Sequence, residues 1–518
     1  MAQNSRREFL AEVGRGMITV SVGCSLASEL GLAPALAADA PARLTFGGLE
    51  PLVELMQDTP LERLLPTLVA KLREGTPLRQ LAAAAALANA RTFGGEDYVG
   101  FHTMMALAPA VHMSDELSDN QRPLPILKVL YRNTNRIHEH GGASSEVLTA
   151  VTPSEVDSRV SPEEALRAAI RNRDTRGAEG TFAAIAKGSP DQALNELLFA
   201  VQDDTEVHRT VLPYRAWDML GLIGREHAHT LLRQSVRYCL QTSDWVSKQP
   251  RKPADILAKA LDQHHLLDRA PGDRRADDGW VDRTSREIFE ATPEQAADIA
   301  AGALADGIAP ASLSEAISLA ANQLILRDIG RTAAMEVAGK PIGSVHGDSI
   351  GVHACDSANA WRNLARAGNT RNAFACLILG AYQVALDRVN RGGDFLHWQP
   401  LPLASHLSQI KETEAAALLG QLEEAVRGNM QAHAAAVVHK YGDLGHNPRP
   451  VFDLMLKFAI SEDGSLHAEK FYRTTSEEFA DLRPAFRWRQ LTALARVTAS
   501  EYGRPAPGVA EAKQLLNV

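Results

Sequence analysis

Four histidines each follow an apolar residue near the start of a predicted helix, and they recur at similar distances beyond four predicted helical hairpins. The pairs are Phe101-His102, Val207-His208, Val352-His353 and Leu466-His467. If the segments that carry them are related by rotation, the four imidazoles point at a common centre. Three or four neutral imidazoles suit iron, copper or zinc, so the recurrence predicts a site for one transition-metal ion. The alternative is that each histidine caps its helix or packs in the core.

Two more histidines, His112 and His227, are candidate ligands of the same site. His112 lies on the same predicted helix as the first of the four. His227 belongs to the run Glu226-His227-Ala228-His229. Residues two apart on a helix differ by about 200° in direction, so the two histidines of this run cannot both face one ion. We favour His227, which shares a helix face with Leu231.

Carboxylates near these histidines are predicted to orient them. Asp218, Asp356 and Glu226 each lie close in sequence to a candidate ligand. A metal-bound imidazole usually donates its second nitrogen to a carboxylate, a carbonyl or a water, which fixes the orientation of the ring. We therefore expect one or more of these three carboxylates to accept a hydrogen bond from a ligand imidazole.

The sequence also contains features of two other kinds of chemistry. The stretch Gly347-Asp348-Ser349-Ile350-Gly351 matches the nucleophile-elbow pattern of serine hydrolases. That pattern works on a strand-to-helix turn, and no strand is predicted before it.

The chain has no Cys-x-x-Cys-His motif for covalent haem, so only haem bound without covalent linkage remains possible. The thiols Cys239, Cys355 and Cys376 are predicted to be buried and free.

The elements that must position these residues are helices. Segments rich in Ala, Leu, Glu and Gln have apolar residues at i, i+3 and i+4, and strand-like alternation is almost absent. A hydroxyl residue and a proline open three of them, at Thr59-Pro60, Ser161-Pro162 and Thr292-Pro293, which is the N-cap and first-turn pattern of a helix. The sequence therefore predicts an all-α fold.

Self-similarity along the chain predicts how these helices are grouped. We predict a single domain over residues 38–518 that is built from helical-hairpin repeats in four divergent units, packed in an arc or a ring-like bundle. The units cover about 59–140, 161–242, 292–390 and 411–505.

Two of the predicted units share a longer pattern after their histidines. It reads Ala-Trp, with leucine three residues and glycine seven residues after the tryptophan, and it occurs at Ala216-Trp217 and Ala360-Trp361. The segments from each histidine through Tyr238 and Tyr382 resemble the histidine-led helices of the questin oxidase-like family. The resemblance implies a helical oxidoreductase, cofactor-independent in the family's original description, that acts on an organic substrate such as an aromatic compound. It carries over His208 and His353 as candidate residues.

The N-terminus matches an export signal. Ser5-Arg6-Arg7-Glu8-Phe9-Leu10 fits the twin-arginine pattern, and Ala35-Leu36-Ala37 fits a peptidase site. We predict a twin-arginine signal peptide over residues 1–37, recognised by the twin-arginine export machinery, and a periplasmic or secreted mature chain. Lipid anchoring at Cys24 is an alternative. The twin-arginine route carries folded proteins, commonly with a cofactor already bound, so a cofactor is expected.

Composition and charge argue against some classes of function. A net charge of −9 and an aromatic content of 5% argue against nucleic-acid binding. The apolar run of the signal is too short to span a membrane, so no integral membrane segment is expected after processing. The sequence predicts an exported metal-dependent oxidoreductase that acts on a small organic substrate. The alternatives are a non-enzymatic helical-repeat binding or scaffold protein and, as a minor one, a serine hydrolase that uses Ser349.

Overall fold

The computed structural model describes residues 42–155, 159–248 and 253–518. These residues form 23 α-helices and no β-strand, so the prediction of an all-α fold is confirmed. No helix in these three ranges is both long enough and apolar enough to cross a membrane. The predicted signal peptide, which contains Arg6, Arg7 and Cys24, lies outside the described residues.

The helices are numbered here in chain order. The first ten are α1 Glu50–Asp58, α2 Leu61–Arg73, α3 Leu78–Phe93, α4 Tyr98–Asp115, α5 Pro123–His140, α6 Pro162–Arg171, α7 Thr175–Ile185, α8 Pro190–Val201, α9 Val207–Ile223 and α10 Ala228–Ser247. The others are α11 Pro253–Gln263, α12 Asp278–Glu290, α13 Pro293–Ala305, α14 Pro310–Arg327, α15 Ile350–Ala367, α16 Thr370–Arg391, α17 Ala404–Leu407, α18 Ala415–Arg427, α19 Gln431–Asp443, α20 Arg449–Ser461, α21 His467–Asp481, α22 Trp488–Glu501 and α23 Val509–Leu516.

Several helices begin where hydroxyl residues and prolines predict. Pro162 and Pro293 are the first residues of α6 and α13. Before α13, Thr292 and Gln295 form a capping box, in which each side chain accepts a hydrogen bond from the other residue's backbone N–H. These contacts satisfy backbone donors that have no partner inside the helix, so they fix where the helix starts.

Four helices pack in a closed cycle. α4 packs against α9, α9 against α15, α15 against α21, and α21 against α4. They are the helices that carry the four recurring histidines, and each histidine lies within the first five residues of its helix. The largely buried helices α3 and α16 pack behind α4 and α15. This packing brings four helix N-termini together, while the description of the whole chain as four divergent repeats stays a prediction.

Candidate metal centre

His102, His208, His353 and His467 meet where the four helix ends converge, and we call them the histidine ring. Their ring centroids lie 4.8 Å apart for His102 and His208, and 5.6 Å apart for His208 and His353. The distance is 5.4 Å for His353 and His467, and 5.1 Å for His467 and His102. Side chains that are distant in sequence therefore form a closed cycle of imidazoles. Three of them are buried, and His353 is partly exposed.

Within the histidine ring, two pairs of imidazoles face each other through their Nε2 atoms. The Nε2 atoms of His102 and His208 are 3.3 Å apart, and those of His353 and His467 are also 3.3 Å apart. Two nitrogens bound to one ion at about 2.0–2.1 Å in tetrahedral geometry are about 3.3–3.4 Å apart. Each pair therefore has the spacing of two ligands on a single ion, which is also the spacing of an N–H···N hydrogen bond between two imidazoles.

The Nδ1 atoms of His102 and His208 both donate hydrogen bonds to groups outside the histidine ring. His102 Nδ1 donates to the carbonyl oxygen of Tyr98 at 2.7 Å, and His208 Nδ1 donates to Glu206 Oε1 at 2.6 Å. The Tyr238 hydroxyl donates to Glu206 Oε2 at 2.7 Å. Burial alone would raise the pKa of Glu206, but the hydrogen bonds from His208 and Tyr238 outweigh it and lower the pKa to about 2. Glu206 is therefore an ionised acceptor, and we call His102 and His208 the anchored pair.

When both rings are neutral, these contacts leave the facing Nε2 atoms of the anchored pair without protons. A neutral imidazole carries one N–H, and in both rings its acceptor places it on Nδ1. Burial, reinforced by the charge of Lys470, lowers the pKa of His102, so this ring is neutral at pH 7. Two lone pairs 3.3 Å apart repel each other unless a cation lies between them. The anchored pair is therefore satisfied by a shared cation, either a metal ion or an added proton.

The surroundings of His467 differ from those of the anchored pair. Its Nδ1 is buried without a hydrogen-bond partner among the described residues. Its helix α21 has no side-chain N-cap, whereas the helices of the other three histidines are capped by Asp97, Glu206 and Ser349. The ring of His467 is therefore held by packing alone on its Nδ1 side.

A buried charged network lies one helical turn beyond the histidine ring. Lys470 is three residues after His467, and Asp356, which accepts a hydrogen bond from Thr474 at 2.7 Å, is three residues after His353. Burial lowers the pKa of Lys470 to about 8, against the opposing effect of Asp356. Burial and then the charge of Lys470 also lower the pKa of His467 well below its usual range. His353 and His467 thus stay neutral, which is the form of histidine that binds a metal ion.

The histidine ring approaches the surface on two sides. On one side Tyr98, which is 57% exposed, packs against His102 with the ring centroids 4.4 Å apart and the ring planes tilted by 41°. On the other side a small, mostly apolar cavity borders His467 between α20, α21 and α22. Its free volume of about 30 Å³ holds about two water molecules. Its apolar lining includes Phe458, Ala459, Ala468, Phe471, Leu494 and Val497.

In the present side-chain arrangement, the four imidazoles of the histidine ring do not have the geometry of a metal site. In the described ranges, no group of three or more His, Cys, Asp or Glu side chains is arranged to hold an ion. Neighbouring imidazoles on one ion have ring centroids about 4.5 Å apart in square geometry and about 5.2 Å apart in tetrahedral geometry. The two longer separations, 5.4 and 5.6 Å, both involve His353. All four separations exceed the square value, so an ion held by the four imidazoles in that geometry would draw every ring inward, and His353 most.

The other two predicted ligands lie apart from the histidine ring. His112 Nε2 contacts Asp218 Oδ1 at 2.9 Å, so this carboxylate orients His112 rather than a member of the ring. His227 lies in the turn before α10, where Glu226 is 3.8 Å from its Nε2. Within the described chain, no contact between aromatic rings joins either histidine to the four. They do not take part in the arrangement that brings the imidazoles together.

The residues that hold the anchored pair were not identified from the sequence. Glu206 is two residues before His208, at the N-cap of α9, where its carboxylate also accepts from the backbone N–H groups of His208 and Arg209. An acidic residue directly before a predicted helix start is the signal that would have found it. The Tyr238 hydroxyl and the Tyr98 carbonyl have no such signal, because their roles depend on how the helices pack.

Ser349 caps a helix, and the three thiols are buried. Ser349 is the N-cap of α15, where its Oγ accepts from the Val352 backbone N–H at 3.4 Å, and the described residues before it form turns. The local geometry is that of a helix cap rather than a strand-to-helix elbow. Cys239, Cys355 and Cys376 are buried and free, as predicted.

The resemblance to the questin oxidase-like family rests on the short motifs that follow His208 and His353, and it stays a prediction. No family model, no curated protein and no solved structure matches this chain.

Proposed function

We propose that the histidine ring binds one transition-metal ion and that the chain is a metal-dependent oxidoreductase acting on a small organic substrate. The observation that carries the proposal is the anchored pair. Its two Nε2 atoms face each other at 3.3 Å while both Nδ1 atoms donate elsewhere. A metal ion satisfies both lone pairs at once, and a carboxylate or carbonyl behind a histidine is the usual arrangement around a bound metal.

A single ion suits the histidine ring better than haem. A porphyrin ring with two axial histidines places their nitrogens on opposite faces, about 4 Å apart for metal–nitrogen bonds of about 2.0 Å. The 3.3 Å spacing within each pair is too short for that arrangement. The neighbouring cavity of about 30 Å³ is also far smaller than a macrocycle. The donor set of neutral imidazoles suits iron, copper and zinc alike.

The chain's own residues would have three tasks around a bound ion. Glu206, itself held by Tyr238, keeps the His208 imidazole in one orientation and makes it a better donor. Tyr98 and Phe101 cover the anchored pair and limit the access of water. A bound transition metal would supply Lewis-acid or electron-transfer chemistry at this place. The oxidoreductase part of the proposal draws on the sequence resemblance and on a donor set that iron and copper accept.

Metal analysis of the purified chain tests the first part of the proposal. We expect about one transition-metal ion per chain, and we expect His208→Ala to abolish it because the variant removes a ligand of the anchored pair. His397→Ala is the matched control, since His397 is exposed and its imidazole contacts the exposed carboxylate of Asp394. A folded wild-type chain that binds no metal after exposure to iron, copper and zinc would contradict the proposal and favour the scaffold alternative.

A redox titration tests the second part. If the bound ion is iron or copper, reduction with dithionite and reoxidation in air should change its electron paramagnetic resonance spectrum reversibly, with the metal content unchanged. A site that accepts only zinc would contradict the oxidoreductase assignment and leave metal binding intact.

A further inference from the structure

The segment directly before His467 has an unusual backbone. Gly464, Ser465 and Leu466 all have positive φ values of 48°, 48° and 66°. Only glycine adopts this region without steric cost, and a leucine there is an outlier. Strained conformations of this kind persist where the surrounding structure fixes them, and they concentrate at functional sites. In this chain, the strained turn ends at the first residue of α21, which is a member of the histidine ring.

The strained turn lies between two firmly attached segments. On its N-terminal side, the Asp463 backbone N–H donates to the Arg504 carbonyl at 2.7 Å. On its C-terminal side, Glu469 forms a fully buried ion pair of 2.6 Å with Lys128. A change in backbone conformation can therefore be confined to residues 464–467, while the rest of α21 stays in place.

The cavity described above provides the space into which His467 can move. Gly464, His467 and Ala468 all contribute to its wall. The cavity borders no other member of the histidine ring, and apolar side chains dominate its lining. A molecule that enters it meets His467 before any other imidazole. The mostly apolar lining favours small uncharged molecules, and its two carboxylates, Glu462 and Glu501, disfavour anions.

We propose that His467 is the exchangeable ligand of the histidine ring. In this proposal, which rests on the proposed metal binding, the left-handed turn lets the imidazole leave the ion while His102, His208 and His353 keep it bound. A small uncharged molecule from the apolar cavity then takes the vacated position. Three protein ligands with a fourth position open to an outside molecule is the usual design of catalytic zinc sites, whereas structural sites use all four.

Cobalt(II) loading of four proteins tests the inference: the wild-type chain, His467→Ala, His353→Ala and His208→Ala. We expect His467→Ala to retain about one cobalt per chain with an affinity within about tenfold of the wild type, because the three ligands that hold the ion in this proposal, His102, His208 and His353, all remain. Its visible spectrum should differ from that of the wild type. Added imidazole should restore the wild-type spectrum by filling the vacated position. His208→Ala and His353→Ala should lose the cobalt, with or without imidazole.

The possible outcomes distinguish a failure of this inference from a failure of the proposed metal binding. If the wild-type chain binds cobalt but His467→Ala loses it as completely as His208→Ala does, His467 is an obligatory ligand and the inference is wrong. Retention by His353→Ala and loss by His467→Ala would also overturn it, since His353 would then be the exchangeable member. A wild-type chain that binds no cobalt would remove both proposals. His467→Gln, which preserves side-chain volume, gives the same test if circular dichroism shows that the alanine variant does not fold.

Discussion

The anchored pair and His467 are two regions of one histidine ring built in different ways. His102 and His208 have their Nδ1 atoms held by a carbonyl and a carboxylate, and capped helices fix the backbone beneath them. His467 has a buried Nδ1 without a partner in the described chain, and it follows a left-handed turn. The difference suggests a division of labour, in which the anchored pair fixes a metal ion and the other side of the ring can adapt to what enters.

Removal of the metal should have the largest effect on stability. A ligand that binds only the folded state stabilises it by about 2.7 kcal/mol at a free concentration of 100 times Kd, and by about 4.1 kcal/mol at 1,000 times Kd. A chelator should therefore lower the free energy of unfolding of the metal-loaded wild-type chain by about 3–4 kcal/mol in urea titrations. His102→Ala should show no response to the chelator. Equal unfolding midpoints of the wild type with and without chelator would contradict a site in the anchored pair.

Replacement of Glu206 should weaken metal binding by a smaller amount. Glu206→Gln keeps a hydrogen-bond acceptor for His208 but removes its negative charge. Loss of such a partner typically costs about 10–100-fold in metal affinity, and competition with a metal-sensitive dye would measure it. Asp394→Asn is the control, because it neutralises a carboxylate 2.6 Å from the Nδ1 of the exposed His397. If the two variants lower the affinity equally, the anchoring role of Glu206 is wrong.

Tyr238→Phe should have a weaker effect than Glu206→Gln, because the hydroxyl acts on the metal only through the carboxylate. We expect the affinity to fall by less than about tenfold. In a chain that already carries Glu206→Gln, the same substitution should change the affinity further by almost nothing, since residues in one network are not additive. Additive losses in the double variant would show that Tyr238 acts independently of Glu206.

His112→Ala should leave metal content and affinity unchanged. Its imidazole contacts Asp218 at 2.9 Å and lies apart from the histidine ring, although the sequence makes it a candidate ligand. Metal analysis of this variant beside His102→Ala compares two histidines of the same helix, α4. A loss of metal in His112→Ala would place the ion elsewhere on that helix.

Sequence reasoning identified the helices and the four members of the histidine ring for a physical reason. Helix periodicity and N-terminal caps are local signals, and the four histidines recur at matching places relative to them. It offered His112 and His227 as secondary candidates for the same site, and their separation from the four could not be predicted because the direction of a side chain at the end of a helix depends on how the helices pack. It also expected Asp218, Asp356 or Glu226 behind the ligands, whereas Glu206 and the Tyr98 carbonyl hold the anchored pair.

The most direct test of the central claim is X-ray diffraction from a metal-loaded crystal at the absorption edge of the bound metal. We predict one strong anomalous peak at about 2.0–2.2 Å from the Nε2 atoms of both His102 and His208, with His353 shifted towards it. A peak outside the histidine ring would contradict the claim. So would a fully metal-loaded crystal in which the two Nε2 atoms remain 3.3 Å apart with no peak between them.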